Sequence, residues 1–171
     1  MGEPHYFFMN IKQTIEGERK EAMRNKEELR LSVLRMLLAA IKNREIEKRT
    51  KLSKNPETKN LEKESELNDE EAFGALRSET KKRRDAIVEF EKGGRADLVE
   101  KESAELKILE AYLPKEMGDE ELEKLVDDTV AGLGSVTIKD FGRVMGEMMK
   151  KVKGQASGDR VSAAVKKMLP E

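Results

Sequence analysis

Lys150, Lys151, Lys153 and Arg160 crowd a glycine-rich turn in the segment KKVKGQASGDR, with Gly154 and Gly158 between them. Backbone N–H groups and a helix N-terminus at such a turn can meet a phosphate, and lysines beside it attract nucleic acid whatever its sequence. Arg160 falls in the first turn of the helix that follows, where a cation is mildly unfavourable. A cation set against its local dipole points to an outside anion. Arg77, Lys81 and Arg84 form a second basic cluster at offsets 0, 4 and 7. Arg24, Arg35, Lys42 and Arg49 form a third, within about 40° of one another on an ideal helix. Leu31 falls on that same line, and a helix break between Arg24 and Arg35 would interrupt it. No aromatic residues interleave with these charges, so stacking on single-stranded bases is not expected. Contact with RNA would be shape and phosphate reading of a folded RNA. A solvated helix face is the plainer reading of each charge run.

Other chemistries lack their residues. The chain has no Cys and one His, His5, which excludes disulfides, Cys-ligated metals and sites needing several imidazoles. No GxxxxGK[ST] loop is present, and neither Gly93-Gly94 nor Gly132-Leu133-Gly134 is followed by phosphate-binding residues. Those glycines read as helix stops. The acidic runs at Asp119–Glu121 and Asp127–Asp128 do not converge on one ion, because neighbouring helix residues point about 100° apart. No catalytic residue, cofactor or metal is therefore expected. Met145, Met148 and Met149 read as core of a small bundle, or as a groove for a partner helix. Gly142 and Gly146 form a small-xxx-small pair that suits internal packing.

The elements that must position these residues are helices. Charged residues make up 40% of the 171 and aromatics only 4%, which suits wide polar faces and argues against sandwiches and barrels. Net charge is −1, so a globally basic nucleic-acid binder is not indicated, but blocks are uneven: residues 85–128 carry 6 basic and 15 acidic side chains, and residues 129–171 carry 8 and 4. No apolar run reaches 18 residues, so no membrane span is expected. The N-terminus lacks the basic and apolar regions of a signal peptide, and a cytoplasmic protein is expected.

Apolar spacing predicts helices over residues 11–26, 27–49, 68–92 and 96–113. Val33, Leu34, Leu37, Leu38 and Ile41 make the clearest stripe of the first half. Gly17 weakens the first helix, at a cost of roughly 1 kcal/mol against Ala. Asn68 with Glu71 forms an N-cap pair, and Phe73, Leu76, Thr80, Ile87 and Phe90 follow on one side. Residues 50–67, with Pro56, read as a long mobile loop. After Pro114 come three shorter helices. Asp119 caps the first, Thr137 and Asp140 open the second, and the third starts near Asp159. Phe141, Val144, Met145, Met148, Met149 and Val152 fall at offsets 0, 3, 4, 7, 8 and 11, an amphipathic stripe. The fold expected is all-α: an N-terminal part of about four helices over residues 1–114, then a three-helix bundle over residues 115–171.

Four stretches carry a family resemblance: MNIKQTIEGERKEAMRNKEELRLSVLRMLLAAIKNREIEKR, KKRRDAIVEFEKGGRADLVEKESAELKILEAYLP, DEELEKLVDDTVAGLG and DFGRVMGEMMKKVKGQASGDRVSAAVKKML. They resemble the YqeY family, whose C-terminal module also forms the tail of the GatB subunit of the transfer-RNA-dependent amidotransferase. Residues 1–8 lie upstream of the usual family start and read as an extension or a tag remnant. His5 within them is expected to be disordered. Residues 50–67 exceed the family's short connection.

The resemblance implies an all-helical, two-part fold whose second part sits on transfer RNA in GatB. It also carries the family's label of glutamine-dependent carbon–nitrogen ligase. That chemistry needs a Cys–His or Ser-Ser-Lys nucleophile and a phosphate cradle with Mg²⁺, none of which this chain supplies. The expectation is a non-catalytic protein whose C-terminal module contacts transfer RNA or a transfer-RNA-processing assembly. The alternatives are an accessory component of such a ligase and a helix-groove interaction module built on the Met stripe.

Overall fold

A computed structural model describes residues 10–169. They are all-α, with no strand among them. His5 and the 1–8 extension lie outside the described residues. The chain divides into two compact units between Tyr112 and Leu113.

The first unit holds α1 (Ile11–Arg24), α2 (Glu28–Leu52), α3 (Leu61–Ser65), α4 (Asp69–Lys92) and α5 (Ala96–Glu110). Asn10 starts α1 by accepting from the Gln13 backbone N–H. Gly17 stays inside α1 on an exposed face, with open space where a Cβ would stand. Asn25, Lys26 and Glu27 then turn the chain, Lys26 at φ 56°. That turn places Arg24 on a different helix from Arg35, so the four-residue basic line is broken and only its α2 members share a side. Val33, Leu34, Leu37 and Ile41 are buried, as the stripe requires. In α4 the expected Asn68–Glu71 capping box is present, and Leu76 and Thr80 are buried with Ala72, Ala75 and Glu79. Phe73, Ile87 and Phe90 are only half-buried. Gly94 supplies the positive φ, 66°, between α4 and α5.

Residues 50–67 are not one loop. Helix α2 continues to Leu52, and α3 occupies part of the remainder. Polar caps build α3: Asn60 accepts from the Lys63 N–H, and Glu64 accepts from the Asn60 N–H at 3.0 Å. Two anchors hold the far end. The Lys48 ammonium donates to the Glu66 carbonyl at 2.9 Å, and the Leu67 N–H donates to buried Glu45 at 3.4 Å. Lys12 lies 2.8 Å from Glu45 and compensates its burial.

The first unit ends on a polar knot. Tyr112, itself buried, donates its hydroxyl to the Glu18 carboxylate, which Arg30 meets at 2.6 Å. Burial first, then the bond to Glu18, pushes the phenol far above its ordinary range. Replacing Tyr112 by Phe removes a hydrogen bond to a charged group while Arg30 still satisfies Glu18. The expected loss is about 1–2 kcal/mol in urea unfolding, with the first unit's helices intact at zero denaturant.

The second unit holds α6 (Asp119–Leu133), a 3₁₀ turn (Ile138–Asp140), α7 (Phe141–Val152) and α8 (Gly158–Met168). Gly118, not Asp119, is the N-cap of α6; Asp119 is its first helical residue, where a carboxylate complements the helix dipole. Thr137 and Asp140 form a capping box, but on the 3₁₀ turn that precedes α7. Leu122 and Val126 of α6, Val144, Met148 and Val152 of α7, and Val161 and Val165 of α8 make one core. Met148 is fully buried, and Met145 and Met149 pack against that core. The Met stripe therefore serves the bundle itself.

Candidate nucleic-acid interface

The corner between α7 and α8 is built from two consecutive left-handed residues, Lys153 at φ 44° and Gly154 at φ 77°. Ser157 caps α8 by accepting from the Arg160 N–H at 3.3 Å. The corner is occupied by its own chain. The Met117 N–H donates to the Gln155 carbonyl at 2.8 Å, and Arg160 donates back to the Met117 carbonyl at 2.9 Å. Arg160 also meets Asp119 at 2.6 Å. Its position against the α8 dipole thus has an internal cause, the Met117 carbonyl just before α6 and the Asp119 carboxylate in the first turn of α6. Gly154 is buried and Gly158 opens α8, so these two shape the corner.

The three lysines are arranged differently. Lys150, Lys151 and Lys153 are all exposed at the end of α7. Lys150 pairs with Glu147 at 2.7 Å, one turn back, and Lys151 donates to Thr129 of α6 at 2.9 Å. The Glu147 carboxyl is held below its usual range, first by the hydrogen bond and charge of Lys150, with the charges of Lys151 and Arg143 adding to it. One carboxylate is therefore set among three cations, and the outer side of α7 is net positive. Arg143 was not among the sequence candidates. Its signal is a spacing of four to Glu147 and seven to Lys150, which keeps all three on one side of the helix. Replacing Lys150 by Ala removes the main cause, so the Glu147 carboxyl is expected to titrate at higher pH, read from its side-chain carbon shift.

The first unit's candidates are more often neutralised. Lys81 pairs with Asp85 at 2.6 Å and Arg84 with Glu110 at 2.7 Å. Arg77 is half-buried and its charge acts on Glu70. Lys42 lies 3.9 Å from Glu45, while Arg35 is exposed on the same side of α2. The acidic runs at Asp119–Glu121 and Asp127–Asp128 are exposed on α6.

A helical first unit followed by a three-helix module with a basic outer side is thus defined by its own geometry. The family model described as Yqey-like protein matches residues 12–169, and the chain belongs to that family. It is similar to the protein named Altered inheritance of mitochondria protein 41, mitochondrial, in several fungi. Identity is 31% to the Vanderwaltozyma polyspora protein, over 73% of this chain and 64% of that one. It is 33% to the Kluyveromyces lactis protein over the same shares, and 30% to the Pyrenophora tritici-repentis protein over 83% and 71%. The chain thus spans 64% of the length of the first of these relatives. Among the described residues no helix is long and apolar enough to cross a membrane.

Proposed function

We propose that this protein is a non-catalytic, transfer-RNA-associated helical protein whose second unit reads RNA phosphates with the outer side of α7. The observation that carries the reading is the surplus of charge there. Arg143, Lys150 and Lys151 surround one carboxylate, and Lys153 extends the patch past the helix end. Backbone phosphates of a folded RNA suit such a patch, since lysines and arginines on one helix side match charge without reading bases. The setting proposed is the cytoplasmic one expected from the sequence.

A second reading is an accessory component of a glutamine-dependent carbon–nitrogen ligase, and it rests on the label that the family resemblance carries. In that case the protein positions transfer RNA and another subunit does the chemistry. The two readings share a test. Purified full-length protein is titrated with transfer RNA at low salt, then given glutamine, ATP, Mg²⁺ and mischarged transfer RNA. Binding without ammonia release above background is expected. ATP-dependent ammonia release by the isolated protein would overturn the non-catalytic assignment, and absence of binding would overturn both readings.

A further inference from the structure

A groove of about 510 Å³ runs between α2 and α4 in the first unit. Small side chains from both helices, Ala39 and Ala40 on α2 and Ala75 and Ser78 on α4, line it together with longer and charged ones. Met36, Ala40, Asn43 and Glu47 recur every three or four residues, on a side of α2 distinct from the buried Val33, Leu37 and Ile41 stripe. Small side chains let another helix approach to the short end of the usual range, about 8 Å between axes.

The charges at the rim are selective. Lys82 is already paired with Glu79 at 2.6 Å. Arg44 and Glu47 are not: neither has an ion-pair partner among the described residues. Arg44 is half-buried and lies across α4 at Gly74, where a Cβ would come within 3.1 Å of its Nη1. Two other guanidiniums that bridge helices of this unit each reach two carboxylates. Arg30 meets Glu18 and Glu27, and Arg83 meets Glu102 and Glu105. Arg44 bridges helices with none.

We propose that the α2–α4 groove is the face through which two copies of this chain associate, Arg44 of each copy pairing with Glu47 of the other. A two-fold interface needs a patch that complements itself, so that residue i meets j while j meets i. One cation and one anion without an ion-pair partner among the described residues, a single turn apart on α2, satisfy this with two ion pairs related by the axis. The remaining rim charges cancel within each copy, so the faces do not repel. The four small residues of the lining give two α2–α4 pairs room to pack as a four-helix layer.

Sedimentation velocity of the full-length chain, from low to high micromolar concentration, tests this. A concentration-dependent monomer–dimer equilibrium is expected. Arg44→Glu and Glu47→Arg should each weaken it at least tenfold, and the double variant should restore it by re-forming both pairs with reversed sign. Circular dichroism checks each fold; Glu47 is exposed, so Glu47→Arg alone decides should Arg44→Glu misfold. A chain that stays monomeric throughout, a dimer indifferent to single reversals, or a double variant without recovery would each overturn the proposal.

Discussion

Replacing Lys150, Lys151 and Lys153 together by Glu is expected to weaken transfer-RNA binding tenfold or more, on the order of 1.4 kcal/mol at least. The change reverses the sign of the α7 patch, leaving Arg143 as its only cation beside Glu147. The slope of log K against log salt should also flatten, by about one unit for each phosphate that is no longer neutralised. Little stability should go with it. Lys150 and Glu147 are an exposed pair of the kind worth about 0–1 kcal/mol. Without the bond from Lys151, Thr129 still donates to the Leu125 carbonyl at 2.7 Å. Arg160→Gln should behave in the opposite way, costing stability through Met117 and Asp119 and changing affinity less. A folded triple variant with unaltered affinity and salt slope would remove α7 as the RNA site.

Met148→Ala is expected to destabilise the second unit by about 2–5 kcal/mol, the range for large-to-small changes in a packed core. Met148 is fully buried between the strongest apolar positions of α7, Val144 and Val152, and the chain from Leu113 on has only this one core among its described residues. A unit of about 60 residues has little stability to spare, so much of its folding free energy is at stake. Met145→Ala, at a half-buried position, should cost less. Hydrogen exchange of the α6–α8 amides in the full-length chain gives the readout. Unchanged protection in Met148→Ala would contradict the assignment of the stripe to the core.

Periodicity made α7 legible because its apolar residues are uninterrupted and every one faces the same bundle. The Asn68–Glu71 cap was legible for a similar reason, since both partners sit within one turn. Helix α3 was not: its five residues carry no apolar period, and polar caps and two anchors from α2 make it. At the site, the setting of Arg160 was the least legible. Its partners, Met117 and Asp119, are 43 and 41 residues away along the chain, so local dipole arguments found an unmatched cation where tertiary structure supplies the match. Arg143 was hidden for the opposite reason, since it stands apart from the lysine run in sequence and joins it only through the helical turn. Lys81 and Arg84 looked free as a cluster, yet each has a carboxylate, one on α4 itself and one on α5.

RNA reading by the outer side of α7 is tested most directly by a map of backbone amide shifts in isotope-labelled, full-length protein titrated with transfer RNA at low salt. Saturable changes centred on Arg143, Glu147, Lys150, Lys151 and Lys153 are expected. Changes centred on α2 around Arg35 and Lys42, or no saturable change at any residue, would contradict that assignment.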